Sequence, residues 1–354
     1  MNLFALTRQF IDLASVSGEE AEMGRFLAWY LEGLGYAVEM QEVAPTRSNI
    51  IATTRRAPRV VFSTHMDTVP PHIASSEDEA YIYGRGACDA KGIMAAEIVA
   101  AERLRAEGVQ EIGLLFTVDE EVASLGARQA NEYARARECR YLINGEPTDN
   151  LLATGSKGSL RVRLKTRGRA AHSAYPEHGE SAIEKLLDAL TMLRATAWPS
   201  DSFFGETTCN IGTISGGTRS NIVPAEAQAD LHIRLATDSA SIKEILNRVA
   251  AERGAELEYL SISERVRMLA VDGFAQGVVR FTTDIAYLPN WGTPLLLGPG
   301  SILDAHTTHE RVSKRELTEA VDLYVRLART LLARDDRALD AERQLVRRSE
   351  GADE

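Results

Sequence analysis

The chain lacks a useful complement of cysteine. Cys88, Cys139 and Cys209 are odd in number and show no metal-type spacing. Neither a disulfide framework nor a cysteine-built zinc site is expected, and a reducing, cytoplasmic setting follows. Long apolar runs are missing too. No stretch approaches the roughly 18 residues that span a bilayer, and Met1-Asn2-Leu3-Phe4 lacks the basic-then-apolar order of a signal peptide. A membrane partner is therefore not expected. Basic charge is not in excess: 40 Lys and Arg face 51 Asp and Glu, for a formal net charge of -11. Such a surface repels a phosphate backbone, which argues against nucleic acid as a partner. Carboxylates in this number can instead serve cations.

What is present is an ordinary globular mixture, 44% hydrophobic and 26% charged over 354 residues, long enough for two compact units. Ser17 and Glu20 have capping-box spacing, and Met23, Phe26, Leu27, Tyr30, Leu31 and Leu34 recur at helical intervals before Gly35. This predicts the first helix. Short buried strands then alternate with helices: Val60-Val61-Phe62, a helix over 91–104, a strand over 112–118, a helix over 125–137, and Tyr141-Leu142-Ile143. The alternation predicts an α/β first domain with a mostly parallel sheet covered by helices.

Near residue 153 the pattern changes. Leu160, Val162 and Leu164 alternate with Arg161, Arg163 and Lys165, a strand exposed on one face. With helices over 181–193 and 241–252 and strands near 209–211, 229–235 and 257–262, this predicts an inserted α+β sandwich. The expected division is 1–154 and 265–335 for the first domain, 155–264 for the insert, and a charged tail over 336–354. Leu295-Leu296-Leu297 and a helix over 316–332 return to the first domain.

The acids and histidines that could do chemistry sit just after the buried strands. His65 and Asp67 follow the first, Asp119-Glu120-Glu121 the next, and Glu146 the third. Asp89 lies in Gly84-Arg85-Gly86-Ala87-Cys88-Asp89-Ala90-Lys91-Gly92, a loop opening a helix, and His306 follows Gly298-Pro299-Gly300. Ligands bind beyond the carboxyl ends of strands in open α/β sheets. Each motif alone is weak, since a Glu-Glu pair is commonly a solvated helix start. Converging carboxylates, however, raise one another's pKa unless a cation intervenes.

In their order, Ser63-Thr64-His65-Met66-Asp67-Thr68-Val69-Pro70, Gly84 to Gly92, Asp119-Glu120-Glu121, Gly145-Glu146-Pro147-Thr148 and Ala305-His306-Thr307 resemble one family. It is that of acetylornithine deacetylase, succinyl-diaminopimelate desuccinylase, aminoacylase and glutamate carboxypeptidase, the co-catalytic zinc amidohydrolases. The likeness runs over about residues 5–333. It implies two Zn2+ ions, with Co2+ or Mn2+ as possible substitutes. Asp89 would bridge them, Glu121 and His306 would complete one site, and His65 and Glu146 the other. His309 is a competing ligand, but the Ala-His-Thr match favours His306. The resemblance further implies that Asp67 orients His65, that Glu120 is the general base, and that Asp89–Ala90 is cis.

The insert carries family-like marks as well. Ala171-His172-Ser173-Ala174-Tyr175-Pro176 matches a lid motif, whose histidine would help hold the oxyanion of a partner subunit's site. Gly216-Gly217-Thr218, Asn221-Ile222-Val223-Pro224 and Arg234 resemble a substrate loop and a carboxylate-gripping arginine. The implied assembly is a homodimer through the lid, closing about hinges near 154–157 and 265. His72 and His178 lack such context. The expected reaction is removal of an acyl group from an N-acyl amino acid. A di- or tripeptidase or carboxypeptidase acting on short peptides is the alternative, and a non-catalytic binder is the reading from another class.

Overall fold

The computed structural model describes residues 1–54 and 56–334. The predicted tail over 336–354 lies outside the described residues. The chain divides into two compact units: among the described residues, 1–154, 267–277 and 283–334 form one, and 155–266 with 278–282 form the other. The short return of 278–282 to the second unit has no signal in the sequence pattern.

The first unit is built on a mixed sheet. Its middle is parallel: Val60–His65 lies between Ile112–Thr117 and Tyr141–Asn144, and Thr293–Leu296 runs parallel to Tyr141–Asn144. Arg47–Thr53 joins antiparallel to Ile112–Thr117, and Ala37–Ala44 is antiparallel outside it. The expectation of a mostly parallel sheet therefore holds for the centre and fails at the flank. The central strands are buried along their whole length, which is why they read as continuous apolar runs rather than alternations.

Seven α-helices occur among the described residues: α1 (Leu3–Asp12), α2 (Ala21–Gly33), α3 (Lys91–Ala106), α4 (Leu125–Asn131), α5 (Ala182–Ala195), α6 (Ser239–Arg253) and α7 (Lys314–Leu332). Among them, α3 is alanine-rich and almost wholly buried, its small side chains allowing close approach to the sheet. The α7 stripe of Leu317, Val321, Tyr324, Ala328 and Leu331 buries against the same core, and Tyr324 donates its hydroxyl to the Leu297 carbonyl at 2.6 Å. No described helix is long and apolar enough to cross a membrane.

Three local expectations are corrected. A helix precedes the one expected first: α1 is capped by Asn2, whose Oδ1 accepts the Ala5 N–H at 3.1 Å. The Ser17/Glu20 capping box does not form, because both side chains are engaged elsewhere. Ser17 donates to Asp67 Oδ2 at 2.7 Å, while Glu20 takes two hydrogen bonds from Arg47, each 2.6 Å. The helix expected over 125–137 stops at Asn131, where Asn290 donates to both the Asn131 side chain and its carbonyl. A tertiary contact thus satisfies the last turn and ends the helix.

The second unit is a four-stranded antiparallel sheet in the order Thr208–Gly216, Glu226–Leu235, Gly158–Arg167, Ala255–Ser263. One face buries Leu160, Val162, Leu164, Ala229, Leu231 and Ile233 against α5 and α6. The other face is charged, with Arg163 held by Asp230 through two hydrogen bonds of 2.6 and 3.1 Å. Ser181 caps α5 and Asp238 caps α6, which ends on the left-handed Gly254.

Candidate metal centre

The centre lies where the buried strands of the first unit stop. His65 is the last residue of its strand, opposite Thr117, so Asp119-Glu120-Glu121 emerges beside it. Ser63 pairs with Asn144, which brings Gly145 and Glu146 out on the other side. Ligand atoms of His65, Asp89 and Glu121 all lie within 4.8 Å of one another. His65 Nε2 is 3.0 Å from Asp89 Oδ1, and His306 Nε2 is 3.2 Å from Asp89 Oδ2 and 3.0 Å from Glu121 Oε1. Asp89 therefore meets one histidine at each carboxylate oxygen. Glu146 is 5% exposed, and its Oε1 has no hydrogen-bond partner among the described residues. His306 and His309 are both exposed, and it is the His306 ring that reaches Asp89 and Glu121, while His309 places its backbone N–H on Thr307 Oγ1.

Asp67, fully buried, organises its neighbours. Its Oδ1 accepts the Glu120 N–H at 3.1 Å, and its Oδ2 accepts the Glu121 N–H at 3.3 Å. His65 Nδ1 lies 2.9 Å from the Asp67 carbonyl oxygen, which turns Nε2 toward Asp89. One residue thus sets the ring of His65 and the backbone of both glutamates. Asp119 and His306 occupy left-handed backbone conformations, rare for residues with a side chain. Arg47 secures Asp119 at 2.7 Å. The Asp89–Ala90 peptide is cis, as the resemblance implies.

The electrostatics are those of crowded acids. Burial raises Glu120 well above the usual carboxylate range, and the Glu146 charge adds to this. Burial does the same for Glu146, with His65 opposing and Asp89 adding to it. Asp89 is also desolvated, but its bonds to His306 and His65 win and hold it below its ordinary value. His306, between Asp89 and Glu121, is raised to about 10. Positive charge is thus stabilised wherever it stands between these carboxylates, the condition a divalent cation meets. A mixed imidazole and carboxylate donor set with one orphaned buried oxygen fits a pair of such ions.

Sequence reasoning missed four supporting residues: Ser17, Arg47, Asp284 and Glu310. Asp284 is buried, accepts the Thr117 hydroxyl at 2.7 Å, and is raised by burial to about 6. It sits in a short 3-10 turn within a segment that has no periodic pattern to reveal it.

The second unit sorts its own candidates into two places. His172 pairs with Ile222, and Ser173 donates to the Asn221 carbonyl, so His172 and Asn221 are neighbours. Gly217 joins them near Glu226, the start of the strand that ends at Leu235. His172 Nδ1 accepts the Ala174 N–H at 3.1 Å, which leaves Nε2 as the donor of the neutral ring. Arg234 lies at the far end of that strand, opposite Ser159 and Thr208. Eight residues at ~3.3 Å each separate Glu226 from Arg234, roughly 26 Å. His172 and Arg234 are thus tied to opposite ends of this strand.

Comparison with known proteins bears on the whole arrangement. Over 92% of its length the chain is 38% identical to a peptidase M20 domain-containing protein of Schizosaccharomyces pombe, of which 84% is covered. The chain belongs to the M20 peptidase family. Residues 154–259 match that family's peptidase dimerisation domain. A Talaromyces marneffei protein named "Probable carboxypeptidase" is 36% identical over 94% of this chain and 86% of its own. The fold matches a dinuclear metal-binding M20 peptidase of Bacillus subtilis with a TM-score of 0.68, at 17% identity, over 92% of this chain and 96% of that one. As an M20 member the chain is a metal-dependent hydrolase of peptide or amide bonds. The comparisons support the resemblance as far as the M20 peptidase family, and not specifically its deacetylases or desuccinylases.

Proposed function

We propose that this M20 member is a two-zinc carboxypeptidase acting on short peptides. The observation that carries the reading is the cluster at the strand ends, with buried Asp89 between two histidines and buried Glu146 left one partner short. His65, Asp89 and Glu146 would hold one ion, and Asp89, Glu121 and His306 the other. The ions, when bound, would supply Lewis acidity toward the scissile carbonyl and the attacking water. Glu120, adjacent in sequence to one ligand and kept basic by its surroundings, would take the proton from that water and return it to the leaving amine. Asp67 would keep both glutamates and His65 in place. His172, donating through Nε2, would stabilise the oxyanion, and Arg234 would grip the free carboxylate at the end of the peptide. Asn221 and Gly217 would shape the loop beside His172.

The names of the relatives favour this over the N-acyl amino acid deacylase reading that the motifs put first. The placement of His172 and Arg234 toward opposite ends of the Glu226–Leu235 strand favours a homodimer in which each site draws on both chains.

The test is hydrolysis of N-blocked dipeptides against N-acetyl amino acids, before and after chelation, with zinc added back. Expected is metal-restored release of the C-terminal residue. Glu120→Ala should cut kcat by about 100-fold to 10,000-fold, the usual worth of a general base, while zinc content stays unchanged. Hydrolysis confined to acetyl amino acids would return the deacylase reading. Hydrolysis of neither by zinc-loaded protein would overturn the proposal.

A further inference from the structure

Glu310 is a buried acid that the proposed chemistry leaves without a task. It is 1% exposed, lies in the segment that carries His306, and precedes the short strand Arg311–Ser313. That strand pairs antiparallel with Tyr81–Tyr83, so Glu310 stands opposite Gly84, whose N–H binds its carbonyl at 3.1 Å. Its side chain then reaches into the loop that leads to Asp89. A single oxygen, Oε1, accepts the backbone N–H groups of Gly86 at 2.9 Å, Cys88 at 3.3 Å and Asp89 at 3.2 Å. The other oxygen, Oε2, takes a hydrogen bond of 2.6 Å from Arg85 Nη1. Arg85 is buried as well and also donates to the Thr307 carbonyl at 3.2 Å and the Pro71 carbonyl at 3.3 Å.

Three converging N–H groups form a nest that binds a carboxylate strongly. Without Glu310 they would be buried donors with nothing to bind, since a loop this tight has no ladder to join. The nest also spans two ligand-bearing segments, because the acid belongs to the His306 segment and the donors to the Asp89 loop. Arg85 adds a third tie, to the Pro70–Pro71 turn that follows His65 and Asp67.

We propose that Glu310, braced by Arg85, is a positioning residue that fixes the Asp89 carboxylate between the two metal sites. This rests on the reading of Asp89 as the bridging ligand. Glu310 touches neither substrate nor ion; it acts through the backbone of the Asp89 loop. Gln at this position keeps the length and one acceptor oxygen but removes the charge and brings an NH2 group against Arg85 or the nest. Supporting partners of metal ligands are commonly worth about 10-fold to 100-fold in affinity.

The experiment is zinc binding by chelator competition on the full chain, with thermal unfolding of each metal-free protein alongside. Glu310→Gln is expected to weaken zinc binding about 10-fold to 100-fold in metal-free protein that remains folded at the assay temperature, and saturating zinc should restore most of kcat. Glu310→Asp, which keeps the charge but shortens the reach, should lose affinity in the same way and serves if the first variant fails to fold. Zinc affinity within twofold of wild type in the folded variants would overturn the proposal. So would a fall in metal-free unfolding temperature that accounts for the loss, since Glu310 would then be a general brace. Asp89→Asn separates the two levels. If it weakens zinc binding and the Glu310 variants do not, only this inference falls. If wild type holds zinc and Asp89→Asn leaves it unchanged, the bridging assignment falls and takes this inference with it.

Discussion

At the residue scale, the centre uses side chains for two kinds of work. His65, Asp89, Glu121, Glu146 and His306 present donor atoms, while Asp67, Arg47 and Glu310 spend theirs on backbone or on neighbouring charge. That second group is what holds the five donor groups at close quarters. The second unit offers a simpler titration. His232 is half-buried and lies beside Arg234 and Arg161, with Ser159 Oγ 2.8 Å from its Nε2. Burial and then the two guanidinium groups lower it from 6.5 to about 4. The folded state therefore keeps His232 neutral where the unfolded chain protonates it. Its contribution to stability is full above 6.5 and is lost as pH falls from there toward about 4. His232→Gln should flatten the fall in unfolding temperature across that window. Thermal unfolding of both proteins at several pH values tests this, and parallel curves would refute it.

At the scale of elements, strand ends and turns decide where the donors stand. Gly298 follows the last central strand, and a Cβ there would lie 2.4 Å from the Glu146 carbonyl oxygen and 3.1 Å from its nitrogen. Backbone atoms cannot rotate out of the way as a side chain can. Gly298→Ala should therefore displace Glu146, cost about 1–3 kcal/mol as overpacking does, and weaken zinc binding with it. Gly254, by contrast, has open space around its Cβ position and a left-handed backbone. Alanine there should cost only the conformational ~1–2 kcal/mol and leave metal affinity alone. Denaturant unfolding and zinc titration of the pair distinguish steric from conformational cost. Equal zinc affinity in both variants would show that Gly298 does not set the Glu146 position.

At the scale of the molecule, the placement of His172 and Arg234 toward opposite ends of one strand has a consequence for assembly. If one site takes these residues from different chains, either substitution alone disables both sites of a homodimer. Co-expressed His172→Ala and Arg234→Ala chains would form mixed dimers in which one site is intact and the other doubly impaired. Random pairing in a two-fold dimer then restores about a quarter of wild-type activity. Activity no higher than that of either parent, in a sample shown by mass to contain mixed dimers, would mean that each chain serves its own site.

The sequence by itself determined the kind of chemistry and most of the scaffold. Buried parallel strands read as unbroken apolar runs, and the residues just beyond them had to emerge at one edge of the sheet. That is why His65, Glu120, Glu121 and Glu146 were legible, and why α3, α5, α6 and α7 were too: their apolar periodicity is a local property of the chain. Only the tertiary structure decided what local pattern leaves open. Ser17 and Glu20 have the spacing of a cap, yet each finds a stronger charged partner far along the chain. Asn290 ends α4 early, Asp284 enters the cluster from an irregular turn, and His306, on a left-handed backbone, faces Asp89. Glu310 is the same case, a charge whose value depends on three N–H groups from a loop more than 200 residues earlier. Hydrogen-bond partners and burial are set by contacts between distant segments, and no spacing along one segment encodes them.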